Sequence, residues 1–351
     1  MHSSSAGTSC SPSAGSTTCR PARSSPSSRL ITVGPGAGQP RPVCRARLAA
    51  VNAVQYPRLV VTGAAGQLGR ALIAAAPAAG AGEVLALGRA DLDITDPAAA
   101  AALLRRGDVV INCAAYTAVD RAETEAAAAF AVNGTGPAVL ATACAEIGAD
   151  LIHVSTDYVF DGTGTAPYEP SDPTGPTSVY GRSKLAGEQA VLALAPAAVV
   201  VRTAWVYTGD QRDFVATMRR LEGERDTVTV VDDQIGSPTY APDLAAGLLE
   251  LAARLPGRAH PIPPILHATN GGSASWYELA RAVFTELGAD PGRVRPCTSD
   301  EYPSPVRRPA YSVLSPRAWS AAGLTPLRDW RAAVHAAVLA ARPGARAGHD
   351  G

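Results

Sequence analysis

The sequence predicts a doubly wound α/β fold, on three observations. Short, continuously apolar runs recur at residues 59–62, 84–87, 109–113, 151–155 and 197–202; Ala-rich stretches long enough for helices separate them; and a glycine-punctuated turn follows the first run. Strands that are apolar throughout, rather than at alternate positions, are buried on both faces. Helices between such strands cover those faces and make the sheet parallel.

The elements follow in order. Stretches 67–79, 97–106, 124–147 and 179–194 are the helices that alternate with the five strands. Past Trp205 the rhythm loosens into a helix at 214–223, a strand at 227–231, helices at 242–254 and 275–287, and Pro-rich connections. That predicts a parallel-sheet (Rossmann) domain at 57–205 and 231–270. A smaller, partly interleaved α/β substrate domain takes 206–230 and 271–342, and 343–351 is a tail. Sites are then expected in the crevice between the two.

Length and composition agree. At about 150 residues per domain, 351 residues suggest roughly two. With 46% hydrophobic and 18% charged residues the chain can bury a core, and no 18-residue uninterrupted apolar run offers a membrane span. Residues 1–56 carry Arg20, Arg23, Arg29, Arg41, Arg45 and Arg47 and no acid, so a formally neutral chain has a body of 25 basic and 31 acidic residues. A mildly acidic body argues against nucleic acid, which needs clustered cations. Small-molecule chemistry is the expectation.

Residues 1–56 are rich in Ser, Pro, Gly and Arg, lack apolar periodicity, and are expected to be disordered. Their acid-free, Arg-rich composition matches either a transit peptide or an extension without function; no apolar stretch supports a secretory signal. Cys10, Cys19 and Cys44 lie there, and Cys113, Cys144 and Cys297 are scattered singly. With no CxxC pair, neither zinc nor redox chemistry is indicated, and the cytoplasm is the expected compartment. Cys113 reads as a small core residue.

The turn Gly63-Ala64-Ala65-Gly66-Gln67-Leu68-Gly69 runs from the first strand into the first helix. Glycines there allow backbone N–H groups to approach a pyrophosphate at the helix's positive end. No Gly-Lys-Ser/Thr follows, which excludes a Walker loop. After the second strand stand Gly88 and Arg89, where dinucleotide folds often carry an acid for the ribose 2′-hydroxyl. An Arg there suits a 2′-phosphate, and it also suits a plain surface position. Asp91 to Asp96 is expected beside the adenine, with Thr95 or Asp96 capping the next helix.

Tyr180 and Lys184 are four residues apart on one helix, so they share a face. A phenol titrates near pH 10, and a neighbouring cation is expected to lower it towards the pH where a proton donor works best. Thr156, at the end of the fourth strand, is the third member. His153 reads as a satisfied strand residue rather than a ligand.

These segments together resemble the extended short-chain dehydrogenases/reductases, and within them the dTDP-4-dehydrorhamnose reductase family. The resemblance spans about residues 58–340 and is carried in order by VTGAAGQLGRAL (61–72), DLDITD (91–96), INCAAYTAVDRAE (111–123), VSTDYVFDG (154–162), VYGRSKLAGE (179–188), RTAWVY (202–207) and DDQIGSPTYAPDLA (232–245). It implies catalytic Thr156, Tyr180 and Lys184. It implies cofactor contacts at Gly63, Gly66, Gln67, Leu68, Arg89, Asp93, Ile94, Ala114, Ala115, Tyr116, Tyr180 and Lys184, and substrate contacts at Thr156, Asp157 and Trp205. The implied reaction is reduction of the C4 ketone of dTDP-4-dehydro-L-rhamnose to dTDP-L-rhamnose by NADPH, with NADH possible. Mg²⁺ is possible in such a family without assignable ligands here, and a homodimer is possible; no nucleic acid or membrane partner is implied.

Three alternatives stay open. Related dehydratases carry an Asp-Glu pair after the catalytic Thr, whereas Thr156 is followed by Asp157 and Tyr158, which favours a simple reductase. An epimerase, or a ketoreductase of another 4-keto-deoxysugar nucleotide, fits the same motifs. A non-catalytic regulatory subunit of methionine adenosyltransferase shares the resemblance, but the intact Thr156, Tyr180 and Lys184 set argues against it. Arg307-Arg308-Pro309 resembles a C-terminal motif near the nucleotide diphosphate, and equally suits a solvated basic loop.

Overall fold

The computed structural model describes residues 30–31, 58–210, 212–256, 261–302 and 304–341. The expectations for the rest of 1–56, its three cysteines and the tail lie outside the described residues.

The main sheet has seven strands: β1 (Leu30–Ile31), β2 (Arg58–Thr62), β3 (Val84–Leu87), β4 (Asp108–Asn112), β5 (Asp150–Thr156), β6 (Val199–Thr203) and β7 (Ile265–His267), in the spatial order β1-β3-β2-β4-β5-β6-β7. Every pairing is parallel except that of β1 with β3. Two of these strands depart from the expectation. β1 falls in a stretch predicted to be disordered; an edge strand presents unpaired N–H and C=O groups that any extended segment can satisfy. β7 is only three residues long, directly after Pro263 and Pro264, too short to show a run of its own.

The flanking helices are α1 (Gln67–Ala75), α2 (Pro97–Leu103), α3 (Ala126–Ile147), α4 (Val179–Leu194) and, after α5 (Phe214–Glu224), α6 (Ala241–Arg254). On one face Leu59, Val61, Ile111, Ile152 and Val201 pack with Leu68 and Leu72 of α1 and with the leucines of α6; on the other Val60, Val110 and Val200 pack with Ala100, Leu140 and Val191 of α2, α3 and α4. Alternate residues of each strand feed opposite cores, which is why the runs are apolar throughout. α3 is apolar and long enough to cross a membrane, yet here it packs between α2 and α4.

A separate core lies beyond the sheet. Strand 228–231 pairs in parallel with 294–297, and α5, α7 (Trp276–Glu286) and α8 (Trp330–Ala340) close around Val215, Met218, Val230, Phe284 and Trp330. Trp319 and Leu324, within the same stretch of chain, pack instead with α6 and the main sheet. In the main sheet β2 has β3 on one side and β4 on the other, so its two crossovers diverge and open a crevice at the carboxyl ends of β2 and β4.

Candidate active site

The glycine turn stands at that crevice. Gly63 has φ +66, and a Cβ on it would lie 2.6 Å from the Ala114 nitrogen, so this position takes no side chain. Gly66 caps α1 in extended conformation without any side-chain cap, leaving the first N–H groups of the helix open. Leu68 is buried in the core, so only its backbone can meet a ligand. The Gln67 amide donates to Asp213 Oδ2 at 3.2 Å. Gln67 lines two neighbouring hollows, one of about 230 Å³ beside Arg70 and Thr208 and one of about 140 Å³ beside Trp205 and Arg212.

Further along the crevice, Arg89 is exposed and its charge bears on Asp93, whose carboxylate accepts from the Thr95 N–H and hydroxyl. Asp96, not Thr95, caps α2. Ile94 points into the core under Gly136, so it too offers only its backbone. Ala114, Ala115 and Tyr116 are half-buried after β4. Asn133, a residue sequence reasoning missed, accepts from the Tyr116 N–H at 2.8 Å and donates to the Tyr116 carbonyl and to the Ser183 hydroxyl, tying this loop to α4. It sits in a π-helical segment, Ala131–Thr135, a distortion often found at functional sites.

α4 carries Tyr180 and Lys184. Ser178 caps it by accepting from the Gly181 N–H. A Cβ at Gly181 would stand 2.2 Å from the Tyr158 carbonyl oxygen, so this glycine lets the first turn of α4 press on the end of β5. That approach brings Tyr180 to the Thr156 hydroxyl, a hydrogen-bond partner, and sets its ring edge-on to Tyr158, centroids 5.5 Å apart. Thr156 in turn donates to Asp157 Oδ1 at 2.9 Å. The second oxygen of Asp157 is buried without a hydrogen-bond partner, and burial raises this carboxyl to about 6, against the pull of the Ser312 and Thr156 hydroxyls.

The electrostatics differ from the expectation at Tyr180. Its phenol is raised, not lowered, because burial outweighs the Thr156 hydrogen bond and the negative charge of Asp157 adds to it. Lys184 does not offset this, since Nζ donates to the Val154 carbonyl at 2.7 Å and lies 3.5 Å from His153 Nε2. Burial lowers Lys184 itself to about 8. One turn on, Glu188 forms a buried pair with Arg202 at 2.7 Å. Cys113, pushed up to about 12 by burial, is an inert packing thiol.

Trp205 sits at φ +45, the one non-glycine residue with positive φ among those described, and stacks on Trp276 at 3.6 Å and 7°. Strained backbone of this kind clusters at functional sites. Arg308 donates to both oxygens of Asp120 at 2.8 Å and bonds Tyr158, so it reaches the site as part of a paired cluster rather than as a solvated loop. Among the described residues no group of three or more His, Cys, Asp or Glu side chains is placed to hold a metal ion.

A parallel sheet with a glycine-punctuated turn at its switch point, and a Thr-Tyr-Lys set converging beside it, defines a nicotinamide-dependent oxidoreductase of the extended short-chain type. Comparison with known proteins narrows the class. The family model of the RmlD substrate binding domain matches residues 57–342. The chain is 60% identical to dTDP-4-dehydrorhamnose reductase of Mycobacterium tuberculosis over 81% of its own length and 93% of the relative's. It is 48% identical to dTDP-4-keto-6-deoxy-D-glucose reductase of Streptomyces niveus, over 79% and 95%. A solved dTDP-4-dehydrorhamnose reductase of Bacillus anthracis in complex with NADP superimposes with a TM-score of 0.75 at 34% identity, covering 80% of this chain and 98% of that one. The chain belongs to the dTDP-4-dehydrorhamnose reductase family.

Proposed function

We propose that the protein acts in the cytoplasm to reduce the C4 ketone of dTDP-4-dehydro-L-rhamnose, giving dTDP-L-rhamnose at the expense of NADPH. The observation that carries this reading is the buried Tyr180 phenol hydrogen-bonded to Thr156, with Asp157 and no Glu beside it. Residues 57–205 and 231–270 hold the cofactor, and 206–230 and 271–342 hold the sugar nucleotide.

The cofactor fits the groups present. The uncapped N–H groups at Gln67 and Leu68 lie at a turn that the glycines Gly63 and Gly66 keep close to bare backbone, which suits a pyrophosphate. Arg89 is free to meet a 2′-phosphate, the backbone at Asp93 and Ile94 the adenosine, and Ala114 to Tyr116 the middle of the molecule. Bound NADPH supplies a hydride to the sugar's C4.

Tyr180 then gives its proton to the C4 oxygen as the alkoxide develops, and Thr156, turning its one O–H away from Asp157 Oδ1, donates a hydrogen bond to the same oxygen. A phenol raised by burial keeps its proton at neutral pH, which suits a donor in the reducing direction. Lys184, held by the Val154 carbonyl, binds the nicotinamide ribose and stabilises the tyrosinate that remains. Trp205 packs on the deoxysugar ring. A second reading, reduction of a different 4-keto-deoxysugar nucleotide, is favoured by the 48% identity to a relative named for dTDP-4-keto-6-deoxy-D-glucose.

A panel of 4-keto-deoxysugar nucleotides, run with NADPH and NADH and followed at about 340 nm, tests both. The expected result is cofactor consumption fastest with dTDP-4-dehydro-L-rhamnose and NADPH. Interconversion of sugars without consumption would replace the reductase with an epimerase.

A further inference from the structure

His153 lies one residue before Val154 on β5, fully buried, at the centre of a row of polar groups that crosses the sheet. Thr62, Asn112 and His153 are direct neighbours in the β2–β4 and β4–β5 registers. Thr62 Oγ1 donates to Asn112 Oδ1 at 2.6 Å, and the Ala114 N–H donates to the same oxygen at 3.1 Å. A backbone N–H can only donate, so this contact settles which end of the amide is oxygen. The Asn112 Nδ2 group therefore points at His153 Nδ1, 3.0 Å away, and that nitrogen must accept.

The ring is neutral, because burial and the charge of Lys184 both oppose its protonation. With Nδ1 accepting, its one proton sits on Nε2, which faces Lys184 Nζ at 3.5 Å. An N–H turned on an ammonium opposes it; turned on a neutral amine, it finds a lone pair. We propose that His153 is a positioning residue, oriented by Asn112, that weakens the hold of Lys184 on its proton and leaves the Val154 carbonyl as the anchor of Nζ. The other groups bearing on Lys184 are Glu188 on α4 and Cys113 after β4; Glu188 is committed to Arg202, and Cys113 keeps its proton. The row ends at Thr62, so it carries a fixed polarity rather than a proton.

The inference rests on the proposed reaction only for its kinetic readout. In full-length protein labelled with ¹⁵N-histidine, His153 is expected to remain the neutral Nε2–H tautomer from about pH 6 to about pH 9, a range across which an ordinary histidine, with a pKa of about 6.5, gains or loses its proton. An Nδ1–H tautomer would overturn the proposal, with no variant required. Asn112→Asp puts a carboxylate oxygen opposite Nδ1, so the ring should donate from Nδ1 and turn its Nε2 lone pair on Lys184. The alkaline limb of kcat/KM should then move up by about one pH unit. In a His153→Phe background the same substitution should move it much less, as a double-mutant cycle reads. A shift that survives His153→Phe would mean that the carboxylate acts through space and that the relay is absent. If the tautomer is as expected but Tyr180→Phe retains activity, the reaction assignment fails and the relay stands.

Discussion

The two halves of the site are built from different materials. The cofactor side, at Gly63 and Gly66, is made by leaving side chains out: open backbone N–H groups, a positive φ and nothing that a ligand would have to displace. The Tyr180 side is made by packing side chains in, with Thr62, Asn112, His153, Lys184, Glu188 and Arg202 all buried and each tied to another. The first is open and tolerant except at its glycines. The second is closed, so a change at one member is felt by the next.

The largest stability effect should therefore fall on the closed side. Arg202→Met leaves Glu188 as an uncompensated buried charge and should cost about 3–5 kcal/mol in denaturant unfolding. The exposed pair Arg220–Glu224 offers the contrast, since breaking it should cost no more than about 1 kcal/mol. Similar losses at the two would erase the distinction.

On the open side, Gly63→Ala forces a Cβ against the Ala114 nitrogen at an αL position, an expected loss of about 1–3 kcal/mol together with weaker NADPH binding. Titration calorimetry with NADPH checks the second part; unchanged affinity would show that the turn does not cradle the cofactor. A smaller effect should appear in the pH profile. If Lys184 must be charged, kcat/KM, which reports the free enzyme, should fall as pH rises through about 8 rather than through the ordinary lysine range. A limb near 10 would mean that burial does not govern this amine.

The same contrast explains what was legible in the sequence. The five apolar runs and the helix 179–194 could be read directly, because two-faced burial and helix length leave marks within one segment. The glycine turn was equally legible, since a backbone cradle is written as missing side chains. Asn112, His153 and Asn133 carried no local mark of function. Their roles come from register across β2, β4 and β5 and from the approach of α3 to α4, relations between residues 17 to 50 positions apart. The expected lowering of Tyr180 failed for the same reason: spacing on a helix places Lys184 on the correct face but does not show that its Nζ is held by Val154, or how deeply both groups are buried. Trp205 was legible as a residue but not as a stack on Trp276, which comes from a segment 71 residues later.

The central claim is that Tyr180 delivers the proton, and Tyr180→Phe tests it most directly by removing the hydroxyl and little else. With dTDP-4-dehydro-L-rhamnose and NADPH, the account predicts a loss of kcat of the order of 10²- to 10⁴-fold while NADPH still binds. A variant that bound NADPH and kept most of the wild-type rate would contradict it.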